Sequence, residues 1–145
     1  MAKSFFSPQE QEKIVKSIQE AEKNTSGEVR VHLENKCKGD VLDRAAEVFA
    51  MLKMHKTELR NGVLFYLAIE DKKFAILGDA GINKVVPANF WDEIKNDCLQ
   101  SFKAGNYADG LCDGIKKAGL QLKSHFPYQI DDINELSDEI SFGDN

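Results

Sequence analysis

The sequence has few cysteines and no long apolar run, and each scarcity excludes a class of protein. Its three cysteines, Cys37, Cys98 and Cys112, are odd in number and too widely spaced for a disulfide framework or a CxxC zinc site. No apolar run approaches the roughly 20 residues that span a bilayer, and the N-terminus lacks the apolar core of a secretory signal. We therefore expect buried or half-exposed thiols in a cytoplasmic protein without a membrane span.

The sequence also lacks an excess of positive charge. Its formal net charge is −5, and the acidic surplus lies after position 130, where no Lys or Arg occurs. The lysines before that point are interleaved with acids, unlike the clustered basic patch of a nucleic-acid-binding protein. We exclude nucleic acid as a main partner, and we expect one domain over residues 1–127 followed by an acidic, flexible tail over 128–145.

The hydrophobic pattern predicts an α/β protein with the element order α-β-α-β-β-α-α. Ser7 and Glu10 form a capping box with Pro8 at the first helical position, so a helix begins there. Residues 28–34 alternate polar and apolar side chains, as a half-covered strand does, whereas the continuous apolar run 63–69 is typical of a central strand. A third strand follows at 74–77, and further helices are predicted at about 40–56, 89–103 and 107–124.

This topology brings distant residues to one edge of a small mixed sheet. If the first two strands are parallel and the third is antiparallel to the second, the third strand ends where the other two begin. Glu28, Asn61 and Asp79 then come within reach of one another. Carboxylate and amide oxygens are ligands that calcium and magnesium prefer, so we predict a site for one of these ions with these three residues as ligands.

The turn Gly78-Asp79-Ala80-Gly81 has two other interpretations. An aspartate beside glycines is most often a turn former, and backbone N–H groups near a helix N-terminus can bind an anion. The segment lacks the lysine and hydroxyl pair of a P-loop. In a metal-assisted phosphatase, Arg60 would hold the phosphate and Asp79 would activate water or attack.

Two further expectations concern side chains outside this edge. His32 shares the polar side of the first strand with Arg30 and Glu34, so we expect an exposed or rim histidine. A third possible function is partner binding through exposed aromatic side chains, for which the candidates are Phe5, Phe6, Phe90 and Trp91.

Three motifs then occur in order, RNGVL at 60–64, GDAGI at 78–82 and FKAGNY at 102–107. Over about residues 7 to 127 this combination resembles the TPM-domain family, which includes thylakoid-lumen proteins linked to photosystem II repair and many bacterial proteins. The resemblance implies a three-layer α/β/α sandwich around a small mixed parallel and antiparallel sheet. It also implies divalent-cation binding, with calcium the ion most associated with the family, and in plant members an acid phosphatase activity.

Asp79 stands where the common family pattern has an aromatic residue, which makes the phosphatase the alternative interpretation. Our leading prediction is a bacterial, cytoplasmic member of the family that binds calcium or magnesium. We expect it to serve as a non-enzymatic accessory or scaffold module in protein assembly or maintenance, with a protein partner that the sequence does not identify.

Overall fold

Six α-helices and four strands make up the described part of the chain, which in this computed structural model is residues 2–127 and 137–143. The helices are α1 (Ala2–Phe5), α2 (Pro8–Glu22), α3 (Val41–Met51), α4 (Ala80–Asn83), α5 (Phe90–Lys103) and α6 (Tyr107–His125), with a 3-10 turn at Met54–Lys56. The strands are β1 (Glu28–Glu34), β2 (Gly62–Ala68), β3 (Lys73–Gly78) and β4 (Ser141–Phe142).

The four strands form one mixed sheet in the order β3-β2-β1-β4. β1 is parallel to β2, and β3 is antiparallel to β2, so the predicted pairing of these strands is confirmed. All seven residues of β2 are buried, as expected for a central strand with both faces covered. The α/β class predicted from the sequence is likewise confirmed.

The sheet separates two apolar cores. One face carries Val29, Val31 and Leu33 of β1 and packs against α2, α5 and α6. The opposite face carries Leu64 and Tyr66 of β2 and packs against α3 and Met54. Because successive side chains of a strand point to opposite faces, β2 and β3 each supply both cores, whereas β1 supplies only the first. The result is three layers.

Several elements differ from the sequence prediction. The helix predicted at about 40–56 ends at Met51, because Lys53 adopts a left-handed backbone conformation, with φ 58°, before the 3-10 turn. The sequence prediction also lacked α1, α4 and β4. β4 comes from the acidic C-terminal segment and pairs in parallel with His32 and Leu33 of β1. Residues 128–136 lie outside the described residues, so the flexibility expected of the tail stays a prediction.

The cysteines and aromatic side chains have well-defined places. All three thiols are buried, as the sequence predicted. Of the aromatics considered for partner binding, Phe6 is 3% exposed, and Phe5, Phe90 and Trp91 pack partly buried against the larger core. Phe6 is therefore unavailable to a partner, whereas Phe5, Phe90 and Trp91 are partly exposed, and partner binding through them stays a prediction.

Within the described ranges, no helix combines the length and apolarity that a membrane crossing needs.

The glycines of the GDAGI turn are required by close packing. A Cβ on Gly81 would lie 2.0 Å from the backbone oxygen of Leu59 and 2.6 Å from that of Arg60, and a Cβ on Gly78 would lie 2.6 Å from the Trp91 ring. The Gly81 N–H donates a 2.7 Å hydrogen bond to the Arg60 oxygen. The first turn of α4 therefore lies directly against the chain that leads into β2.

Gly81→Ala tests this packing. We expect the free energy of unfolding to fall by about 1–3 kcal/mol, as overpacking typically does, because backbone atoms of Leu59 and Arg60 would have to move. Urea unfolding followed by circular dichroism measures the change. Ala80→Ser, at the exposed neighbouring position, is the control and should stay within about 0.5 kcal/mol of the parent. Equal stability of Gly81→Ala and the parent would contradict this account.

Candidate functional site

The starts of β1 and β2 and the end of β3 meet at one edge of the sheet, which we call the strand-start edge. The Glu28 N–H donates to the Asn61 oxygen over 3.4 Å, and the Asp79 N–H donates to the Gly62 oxygen over 2.9 Å. Glu28, Asn61 and Asp79 are 2%, 1% and 7% exposed. The structure thus brings the three predicted ligands to one edge, and their binding of an ion stays a prediction.

Asp79 at this edge already accepts hydrogen bonds from the protein itself. Its two carboxylate oxygens each accept a 2.7 Å hydrogen bond from the Arg60 guanidinium, and one also accepts from the Ala80 N–H, which makes Asp79 the N-cap of α4. Burial on its own raises the pKa of this carboxyl, but the hydrogen bonds from Arg60 and Ala80 outweigh burial and lower the pKa. This arrangement fixes the junction between β3 and α4 to the loop before β2.

A second acidic group lies where α2 ends beside β1. Glu22 accepts a 2.8 Å hydrogen bond from the Val29 N–H. The pKa of Glu22 is raised, first by burial, then by a hydrogen bond with Asp138 and by the nearby charge of Glu28. Three acidic side chains from α2, β1 and the C-terminal segment therefore interact, and we call Glu22, Glu28 and Asp138 the acidic cluster. Sequence reasoning missed Glu22 and Asp138 because it did not place the C-terminal segment beside β1.

The oxygen donors of this region do not form a ready-made metal cage. Among residues 2–127 and 137–143, no three His, Cys, Asp or Glu side chains are grouped so that they could hold an ion. Asn61 Oδ1 is buried and has no hydrogen-bond partner within the described part of the chain. Its Nδ2 donates to Ser26 Oγ over 3.3 Å. This region contains oxygen atoms of the kind that calcium and magnesium prefer, but their side chains would have to move closer together to coordinate one ion.

At the other end of β1 a buried polar network surrounds Glu34, which is fully buried. Arg44 of α3 donates to its two oxygens over 3.1 and 2.6 Å, and the Tyr66 hydroxyl also donates to it. His32 Nε2 lies 3.0 Å from Glu34 Oε1, and His32 Nδ1 lies 2.9 Å from Ser141 Oγ of β4. The network therefore ties α3, β2 and β4 to β1.

The expected rim position of His32 is wrong, because this side chain is only 3% exposed. Burial lowers the pKa of His32 despite the raising effect of Glu34. For Glu34, burial alone raises the pKa, but hydrogen bonds from Arg44, Tyr66 and His32 outweigh it and lower the pKa to about 2. Ser141, His32 and Glu34 are linked in the order serine, histidine, carboxylate, as in a catalytic triad. Here, however, His32 is enclosed and Glu34 is bound to Arg44. The network is therefore suited to holding β4 in place.

The fold and these two regions define a three-layer α/β/α domain with a buried polar strand face. The TPM domain family matches residues 2–121, and the chain belongs to this family. Comparison with curated proteins finds no match.

Solved structures resemble the chain over most of its length. The BA42 protein of the psychrophilic bacterium Bizionia argentinensis is 54% identical, with 97% of each chain covered and a TM-score of 0.89. The N-terminal domain of a P. gingivalis protein (18% identity, 87% of this chain and 83% of that one, TM-score 0.71) shares the fold. So does the N-terminal domain of cg2496 from Corynebacterium glutamicum (14% identity, 86% and 79%, TM-score 0.66).

Glu34→Gln tests the buried network. We expect the free energy of unfolding at pH 7 to fall by about 3–5 kcal/mol, as when one partner of a buried ion pair is removed. The folded-state pKa of Glu34 is about 2, against its usual 4.5. Its stabilising contribution is therefore full above the usual value and is lost as the pH falls towards 2. The lowered pKa of His32 adds a loss of stability below its usual 6.5.

Urea unfolding at a series of pH values measures both effects, and the variant should depend less on pH between about 4.5 and 2. The control is Glu47→Gln, since the 66% exposed Glu47 side chain lies 3.9 Å from the same arginine and should contribute less than about 1 kcal/mol. Parallel pH curves for the parent and Glu34→Gln, or equal losses in both variants, would contradict the assignment.

Proposed function

We propose that this TPM domain binds a divalent cation, calcium or magnesium, at the acidic cluster, and that it acts as a non-enzymatic accessory or scaffold module. The observation that carries the proposal is the environment of the Glu22 carboxyl, which is half-buried beside Glu28 and Asp138. The proposed ligands are oxygens of these three residues, together with the side-chain oxygen of Asn61.

Electrostatics supports a cation at this place. Burial and like charges both disfavour ionised carboxylates, which is why the pKa of Glu22 is raised. A divalent ion removes both penalties, because it supplies opposite charge and direct coordination. Calcium takes six to eight oxygen ligands and tolerates irregular geometry, so a mixture of carboxylate and amide oxygens suits it. Burial lowers the pKa of Arg30, and the nearby charges of Glu139, Asp138 and Glu22 offset this lowering only in part. Arg30 supplies one positive charge there.

A bound ion would link the C-terminal segment to the body of the domain. Asp138 lies shortly before β4, whose residues pair with His32 and Leu33, whereas Glu22 and Glu28 belong to α2 and β1. An ion held by all three would stabilise the folded state, because a ligand that binds only the folded chain shifts the equilibrium by mass action. Ion concentration would then control how firmly the C-terminal segment is attached.

Asp79 receives a different role in this proposal. Its carboxylate is bound by Arg60, so we assign it to positioning the loop that carries Asn61. The same contact weakens the phosphatase alternative, because the carboxylate that would react is paired with the arginine that would hold the phosphate. The metal-binding assignment therefore moves from Asp79 towards Glu22 and Asp138, with Glu28 and Asn61 retained.

Titration of the 15N-labelled protein with calcium chloride, and separately with magnesium chloride, tests the proposal. We expect amide shifts at Glu22, at 27–28, at Asn61 and around Asp138, and a higher unfolding temperature. Glu22→Gln and Asp138→Asn should each weaken binding about tenfold or more, as loss of a ligand side chain does when about 1.4 kcal/mol of binding energy is removed.

Glu20→Gln is the matched control, because this glutamate lies in the same helix and is exposed, and its affinity should equal that of the parent. Asp79→Asn should also bind the ion with unchanged affinity, which separates the acidic cluster from the originally predicted ligand set. The proposal fails if neither ion shifts these amides, or if Asp79→Asn loses binding while Glu22→Gln keeps it.

A further inference from the structure

An open groove of about 420 Å³ lies between the β2–β3 hairpin and the junction of α5 with α6. Its apolar lining includes Leu67, Phe74, Phe102 and Tyr107. Leu67 is near the end of β2 and Phe74 near the start of β3, so the groove is at the opposite end of these strands from the strand-start edge. This volume falls within the range of small-molecule sites, about 300–1,000 Å³.

The FKAGNY motif builds much of this groove. The Phe102 ring stacks on Tyr107, with centroids 4.7 Å apart and an interplanar angle of 13°, and it meets Phe74 edge-on at 5.0 Å. Gly105 adopts a φ of 83° after α5, a conformation that glycine accepts without strain, and α6 then begins at Tyr107. Phe102 is 7% exposed, so the motif holds the partly exposed Tyr107 ring in place against a buried support. The proposed cation site makes no use of this motif.

Two lysines add positive charge to this aromatic surface. Lys72 of the hairpin turn and Lys103 at the end of α5 both line the groove and are exposed. Neither lysine has an ion-pair partner in the described part of the chain. The basic residues that do form ion pairs there are Lys13, Lys16, His32, Arg44, Arg60 and Lys117. A ligand with a negative group would complement both charges, whereas a cationic ligand would be repelled by both.

We infer that this groove binds a small amphiphilic carboxylate, whose anionic group lies between Lys72 and Lys103. Its aromatic or short alkyl body packs on the partly exposed Leu99 and Tyr107 and on the small exposed parts of Phe74 and Phe102. The apolar rings supply most of the buried contact, and the charge-assisted hydrogen bonds select an anion. The inference is independent of the proposed cation site.

Three probes with the same phenylpropyl body separate charge from shape: 3-phenylpropionate, 3-phenylpropanamide and 3-phenylpropylamine. Each is titrated into the full chain and followed by amide shifts. We expect 3-phenylpropionate to shift residues 67, 72–74 and 102–107, and to bind about two- to fivefold more tightly than the amide probe, as exposed ion pairs allow. The amine should bind most weakly, and calcium or a chelator should leave this order unchanged.

The double variant Lys72→Met, Lys103→Met should lose the preference for 3-phenylpropionate over the amide while keeping the binding of the amide. Both lysines are exposed, so we expect the fold to persist, and circular dichroism checks this. Lys116→Met is the control, because this exposed lysine lies on α6 and does not line the groove. Equal binding of the three probes, shifts that map elsewhere, or an unchanged preference in the double variant would overturn the inference.

Discussion

The position of β1 inside the sheet is the constraint on which the rest of the structure depends. β1 lies between β2 and β4, and its polar residues Glu28, His32 and Glu34 are buried. A buried polar group costs free energy unless it is hydrogen-bonded, and a buried charge costs more unless it is paired. The neighbouring elements must therefore supply partners, and Arg44, Tyr66 and Ser141 are the partners of His32 and Glu34.

The two ends of β1 meet this requirement differently. At Glu34 the carboxylate has an arginine, a tyrosine hydroxyl and a histidine around it, so its negative charge is stabilised within the protein. At the other end, Glu22 interacts with the acidic residues Asp138 and Glu28, and Arg30 supplies one positive charge. The charge of Glu34 is therefore compensated within the protein, whereas at the second end burial and neighbouring acids raise the pKa of Glu22 despite the charge of Arg30. This difference in charge balance is the physical reason for proposing a cation site at one end of β1 only.

Sequence reasoning could predict what local pattern and topology determine. The Ser7 capping box is present with both hydrogen bonds. The alternating and continuous apolar runs located β1 and β2 correctly, although β1 is buried on both faces rather than half-covered. Antiparallel pairing of β3 with β2 then sufficed to bring Asp79 to the starts of the other strands. These features depend on short stretches of chain or on the handedness and direction rules of sheets.

The remaining features depend on contacts between distant residues that no local pattern specifies. β4 contains only two residues, too few for a period-2 signal, and its pairing buries His32. Glu34 and Tyr66 are 32 positions apart, and strand alternation alone could not show whether that face of β1 met water or protein. Gly81 was interpreted as a turn residue. In the structure a glycine is required there because the backbone of Leu59 and Arg60 leaves no room for a Cβ atom, and only folding brings these segments together.

The same limit applies to the choice between Asp79 and Glu22 as the proposed cation ligand. Asp79 and Glu22 are both acidic side chains near the end of a secondary-structure element. The predicted topology favoured Asp79 because it placed this residue beside Glu28 and Asn61. In the folded chain Arg60 neutralises Asp79, which lowers its pKa, whereas burial and other acids raise the pKa of Glu22. Neighbouring charge therefore decides which carboxylate has most to gain from a cation, and that charge is set by how α2, β1 and the C-terminal segment pack together.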